Sequence, residues 1–332
     1  MRMFSRALAT IGLCALGAAA QAADFTPAVI FDMGGKFDKS FNEAAYHGAE
    51  QFKQETGINY LEFEITNESQ RDQALRRMAQ RADIVVAVGF AFSTPLETVA
   101  AEFPDKKFVI IDSVVEKPNV ESVVFKEHEG SFLVGMAAAL ASKTGKVGFV
   151  GGMDIPLIRN FEVGYEQGVK HVNPQAEVIV NYTGTTPAAW NDPARGGELA
   201  IGQFGQGADV VYAAAGATGV GVLQTAADQG IYSIGVDANQ NYLHPGSVLT
   251  SMLKRVDNAV YDAMLAGPEV ETGLQVMGIA NGGVGYALDE YNAELITPEM
   301  QAAVDAAAAE IAAGTLTVHD YSTDETCPAI TF

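Results

Sequence analysis

Residues 28–48 read AVIFDMGGKFDKSFNEAAYHG. Val29, Ile30 and Phe31 carry a buried-strand signal, Asp32 stands at the strand's carboxyl end, and Gly34 and Gly35 open a loop before an amphipathic run. The stretch predicts a strand, a loop and a helix start. In open α/β sheets ligands sit outside the carboxyl ends of the strands, so Asp32, Phe41 and Asn42 are placed where a small molecule would be met.

The same rhythm continues outward from it. Strand-like apolar runs at 28–31, 83–88, 107–111, 122–125, 146–150, 177–181, 209–212, 232–236 and 247–251 alternate with helix-like segments such as 43–56, 69–80, 129–142, 161–171 and 216–230. Alternation of this kind predicts doubly wound parallel sheets, and the near-continuous Val and Ile of several strands fits sheets covered on both faces. The strands are too numerous for one compact sheet. The rhythm restarts at 145–152 (GKVGFVGG) and again at 247–251 after Pro245-Gly246, with the weakly patterned run 278–287 as a final crossing before an alanine-rich helix at 298–313. The expected division is a first lobe of 23–143 plus about 247–280 and a second of 144–246 plus about 281–332.

Residues 1–22 fall outside both lobes. Arg2 and Arg6 precede an apolar run at 7–19, and Ala20-Gln21-Ala22 reads as a cleavage site, which predicts a removable signal peptide and a periplasmic address. The run is too short for a retained span. Leu13 stands before Cys14 where a lipoprotein signal takes a small residue, so lipidation is not expected. Cys327 is then the single thiol, with no intramolecular disulfide open to it. The formal charge of −21 becomes −23 once Arg2 and Arg6 are removed, which makes nucleic acid and anionic membranes poor partners. A surface this acidic is self-repelling and does not by itself indicate cation binding.

Several chemistries are excluded by missing motifs. The sequence contains no HExxH, CxxC, GxSxG or GxxxxGK[ST], and its five histidines have no metal-ligand spacing. A partial dinucleotide signal stands at 216–221 (GATGVG), but Gln224 occupies the place of the third glycine. A glycine-rich turn at a helix start also admits other polar ligands.

Three aspartates share one context: Asp32, Asp112 and Asp237 each end a strand, and the loop 89–93 with Phe90 at its head follows a fourth. Ionised carboxylates converging on a cleft accept hydrogen bonds from vicinal hydroxyls or ring N–H groups. The alternative is that each caps the following helix. Phe41, and Trp190 in the polar loop 183–193, offer an aromatic from each lobe to sandwich a planar base. Their alternatives are a helix staple or core contact for Phe41 and packing on its own lobe for Trp190. Lys254 follows a strand expected to end at the cleft and offers three donors to a sugar oxygen, or else it is a solvated helix start.

Taken together these residues resemble the basic membrane protein family of type I periplasmic substrate-binding proteins, in particular its purine-nucleoside-binding members. The resemblance covers nearly the whole mature chain. It is carried by Asp32 with Gly34-Gly35, by 38–42 (DKSFN), by Ile155-Pro156 followed by 161–165 (FEVGY), and by 213–221, 234–237 (IGVD) and 249–255.

The resemblance implies an α/β fold of two Rossmann-like lobes with parallel sheets joined by a multi-strand hinge. It implies a monomer that binds a nucleoside-like ligand, delivers it to a membrane ABC permease, and uses no cofactor or metal. It assigns Asp32 and Asn42 to the base, Phe41 and Trp190 to stacking, Asp237 and Lys254 to the ribose, and Asp112 and Gly216 to the remaining wall. Family members often carry Phe in the second stacking place and many are lipoproteins, so Trp190 and the Leu13-Cys14 pair depart from the pattern. A carrier for riboflavin or another heterocycle would share the fold. An NAD-dependent enzyme would need the phosphate loop and an acid or base that are not visible here.

Overall fold

The structure is a computed structural model and describes residues 25–327; the expected signal segment, with Cys14, lies outside them. In the first lobe the chain forms β1 (Pro27–Phe31), α1 (Phe41–Thr56), β2 (Leu61–Glu64), α2 (Arg71–Ala79), β3 (Ile84–Val88), α3 (Ser93–Glu102), β4 (Lys107–Ile111) and β5 (Val120–Phe125). It continues through α4 (Glu127–Ala141), β6 (Lys146–Met153), α5 (Pro156–Val172), β7 (Glu177–Gly184), α6 (Pro193–Gly205), β8 (Val210–Ala214), α7 (Ala217–Gln229), β9 (Tyr232–Asp237) and β10 (Val248–Lys254). The last elements are α8 (Val256–Ala266), β11 (Gly273–Met277), β12 (Val284–Tyr286) and α9 (Pro298–Ala312).

One sheet has the order β11-β5-β4-β3-β1-β2 and is parallel throughout. The other has the order β12-β10-β9-β8-β6-β7 and is parallel except where β12 runs against β10. β1, β3 and β8 are buried at every residue, as strands covered by helices on both faces must be. The expected class, two doubly wound α/β lobes, is the one observed.

Three segments cross between the lobes: Lys126, Arg255, and the stretch 278–283. They lie side by side. The Lys126 amide donates to Met277 O at 2.8 Å, and the Arg255 amide to Gly283 O at 2.9 Å. A Cβ on Gly283 would overlap Met277, so the packing of the crossings demands glycine there.

The expected boundaries need two corrections. Residues 247–251 were placed in the first lobe, but β10 pairs in parallel with β9, with Met252 opposite Val236, and belongs to the second. The turn at Pro245-Gly246 returns the chain to its own sheet, and the crossing comes only at Arg255. Helix α4 was also placed in the first lobe; it packs against α5 in the second. There the helix backbones touch: a Cβ on Gly135 would overlap Tyr165 O, and one on Gly168 would overlap Phe132 O. Both errors have one cause. A local pattern announces a strand or helix, whereas its partner is chosen by long-range packing.

Edge strands β2 and β11 were not anticipated. β2 alternates half-buried and exposed residues and β11 is exposed along its first four, so neither presents a long apolar run.

Candidate functional site

The carboxyl ends of the strands from both sheets face one cleft. From the first lobe come Asp32 after β1, Gly89 and Phe90 after β3, Asp112 after β4, and Phe41 and Asn42 opening α1. The second lobe contributes Ala214 to Gly216 after β8, Asp237 and Lys254 at the ends of β9 and β10, Trp190 ahead of α6, and Leu157, Ile158 and Phe161 on α5. The empty space between them, counting the part open to solvent, is about 640 Å³. All nine residues singled out in the sequence stand on this wall. Asp112 and Asp237 have φ of 68° and 63°, the left-handed region that Asp tolerates better than most side chains. Two strand-end carboxylates are thus turned into the cleft by the same unusual backbone.

Asp32 is not free. Arg71 Nη2 and Nε reach its Oδ1 at 2.8 and 2.9 Å, yet burial still raises its pKa above the ordinary value. Helix capping, the alternative for the strand-end aspartates, falls instead to Asp38, which accepts the amides of Ser40, Asn42 and Glu43 at 2.8, 3.0 and 3.1 Å. Burial pushes Asp38 up to about 7 against those three donors. Asn42 gives its Nδ2 to the carbonyls of Asp32 and Gly35, at 3.2 and 3.3 Å, and keeps a buried Oδ1 without a partner.

Lys254 is buried, so the solvated-helix reading fails. Its Nζ stands 2.7 Å from Asp112 Oδ2 and 2.9 Å from Glu127 Oε1. It also lies 5.3, 5.0 and 5.4 Å from the ring centres of Phe41, Phe125 and Phe161. Burial, the largest influence, lowers its pKa, but Asp112, Glu127 and Asp237 together outweigh it and the net shift is upward. Asp112 Oδ1 remains buried and unpartnered.

The lobes touch across the cleft. Ser40 Oγ donates to Asp237 Oδ2 at 2.5 Å, and Gln240 Nε2 to Lys39 O at 2.9 Å. Burial pushes Asp237 up to about 6 from 3.8, although Lys254 and Ser40 hold it down. A carboxyl raised by folding keeps its proton where the unfolded chain has lost it. Its ionisation therefore costs stability as pH rises from about 4 to about 6. Asp237→Asn, which preserves an acceptor for Ser40, will gain melting temperature relative to the parent across that window; a pH-independent difference would contradict this.

Trp190 is held by its own lobe. A Cβ on Gly152 of β6 would overlap the six-membered part of its ring, and one on Gly34 would touch its Cβ at 3.8 Å from the other lobe. Trp190 packs on its own lobe, as its alternative had it, and also lines the cleft.

Sequence reasoning missed Arg71, Glu127 and Asp38. Arg71 and Glu127 meet partners 39 and 127 residues away, and no spacing signals such pairs. Phe161 was quoted within FEVGY without a place in the site; Pro156 at the first turn of α5, which sets that helix's start, was the available signal.

A cleft closed by two α/β lobes, lined by aromatics from both and by unpartnered acceptors from the first, defines a protein that encloses a small solute. Over residues 25–311 the chain matches the family described as ABC transporter substrate-binding protein PnrA-like (Bmp), and it belongs to that family. It is 33% identical over 326 residues to the ABC transporter nucleoside-binding protein BmpA of Lactococcus lactis, covering 89% of each chain. It is 36% identical over 294 residues to an uncharacterized lipoprotein of Pyrococcus furiosus, covering 82% of this chain and 72% of that one. Among solved structures, an ABC transporter solute-binding protein from Aeropyrum pernix superposes with a TM-score of 0.80 at 30% identity, covering 89% and 93% of the two chains. The family is one of extracytoplasmic substrate-binding proteins rather than enzymes, which bind small ligands and deliver them to a permease complex.

Proposed function

We propose that the chain binds a purine nucleoside between its lobes and hands it, chemically unchanged, to an ABC permease, working as an exported, unlipidated periplasmic monomer. The observation that carries this reading is the pair of buried acceptors without partners, Asn42 Oδ1 and Asp112 Oδ1, on a wall that also holds Phe41 and Trp190. Buried polar atoms are rarely left unpaired. A nucleoside offers N–H donors at its base, hydroxyl donors at its sugar and a planar ring between them. In this arrangement Asp32 and Asn42 meet the base, Phe41 and Trp190 stack on it, and Asp237 with Lys254 holds the ribose, while Phe90, Asp112 and Gly216 complete the wall. The name of the Lactococcus relative supports the same ligand class.

Native mass spectrometry of the purified chain, followed by calorimetry with inosine, adenosine, hypoxanthine and riboflavin, tests the proposal. Nucleosides are expected to bind more tightly than the free base. Riboflavin binding without nucleoside binding would move the assignment to a flavin carrier, and NAD turnover would move it to an enzyme. Phe41→Ala is expected to weaken inosine and hypoxanthine alike, by about 1–3 kcal/mol. Unchanged affinity would remove Phe41 from the stack.

A further inference from the structure

Lys254 Nζ donates a hydrogen bond to Asp112 Oδ2 and is ion-paired with Glu127 Oε1, and the two carboxylates belong to different lobes. Asp112 follows β4 in the first lobe, whereas Glu127 opens α4 in the second, the lobe that also carries Lys254 at the end of β10. When the lobes separate, Asp112 moves away from Lys254 with its own sheet. Glu127 does not. It is also the more deeply buried of the two side chains, at 2% exposed against 6% for Asp112.

Glu127 is fixed from behind. Asn160 Nδ2 donates to its Oε2 at 3.2 Å, and Asn160 Oδ1 accepts the Tyr321 amide at 3.1 Å. Tyr321 belongs to the segment after α9, which is clamped again two turns along α5, where Gln167 exchanges two hydrogen bonds with the backbone of His319 at 2.8 and 3.1 Å. Asn160 is itself buried. A run of hydrogen bonds therefore leads from the C-terminal segment through Asn160 to Glu127 Oε2, and the other oxygen of that carboxylate is ion-paired with the ammonium in the cleft.

We propose that Glu127, with Asn160 behind it, is a positioning residue that holds Lys254 aimed at the sugar side of the ligand through opening and closing. This rests on the nucleoside reading above, in which Lys254 meets the ribose. Asp112 then supplies only the contact made on closure. Without Glu127 the ammonium is left in the open protein to turn toward whichever acceptor is nearest, and part of the ligand's affinity goes into bringing it back.

The test is the split between a nucleoside and its base. In the full chain, Glu127→Gln is expected to weaken inosine by about tenfold, the scale of a lost charge-assisted hydrogen bond, while hypoxanthine affinity is unchanged. Asn160→Leu should shift inosine in the same direction, and the double variant should be no weaker than Glu127→Gln alone. Thermal melts run alongside separate folding defects from binding defects. Equal losses for inosine and hypoxanthine would mean that Glu127 merely supports the lobe, and would overturn the inference while leaving the ligand assignment standing. Additive losses from Glu127→Gln and Asn160→Leu would break the link between them and overturn it as well. If the parent protein binds neither compound, the ligand assignment falls, and the inference falls with it.

Discussion

Replacing Lys254 by methionine will lower the unfolding free energy of the ligand-free protein by about 3–5 kcal/mol, the range found when one partner of a buried ion pair is removed. The side chain is enclosed by Asp112, Glu127 and three phenyl rings, and methionine fills similar space with no charge. What is left is a pair of buried carboxylates, Asp112 and Glu127, whose shared cation has gone. Burial already pushes Asp237 up to about 6 and Glu127 up to about 7, so these two take protons as pH falls and the loss shrinks. Denaturant melts at pH 8 and pH 5 should show the larger loss at pH 8. A deficit below about 1 kcal/mol at pH 8 would mean that the ion pair is energetically idle, as exposed pairs often are.

Gly152→Ala is the second large effect, and it acts from a residue behind the cleft wall. The added methyl would occupy the space of the Trp190 ring, which lies directly on the Gly152 backbone. The ring must leave, and under the nucleoside proposal one stacking face goes with it, worth about 1–3 kcal/mol of ligand affinity. Calorimetry should place Gly152→Ala and Trp190→Ala close together. In a Trp190→Ala background the same methyl has room, so the double variant should bind no more weakly than Trp190→Ala alone. Full affinity in Gly152→Ala would show that Trp190 contributes nothing to binding.

The fold and the site were legible to different depths, for physical reasons. Strand after strand ended in a residue able to meet a ligand, and because a parallel sheet collects its carboxyl ends on one side, Asp32, Asp112 and Asp237 could be grouped from their positions alone. The same logic brought Phe90, Gly216 and Lys254 to the cleft. It fails wherever the deciding interaction is between distant segments. Nothing near Arg71 announces Asp32, and nothing near Glu127 announces Lys254. Helix α4 presses against α5 through three glycines, Gly135 on the first helix and Gly164 and Gly168 on the second, and a glycine in a sequence does not say which neighbour it admits. β10 was misplaced because a proline-glycine turn looks the same whether the chain then leaves its sheet or rejoins it.

The crossings at Lys126, Arg255 and 278–283 have a consequence for the order in which the molecule can be built. Neither lobe is a continuous stretch of chain. Helix α1 packs on α8, where Gly48 meets the backbone of Asp257, so the early part of the first lobe lacks its cover until residues on the far side of ten strands have been made. Its sheet gains β11 later still. The second lobe in turn awaits β12 and α9. Contacts of such long sequence separation slow folding and leave apolar faces open while the chain is incomplete. The two lobes must therefore mature almost together, from a nearly full-length chain, and cutting the gene at either early crossing would yield half-covered sheets instead of a working half of the protein.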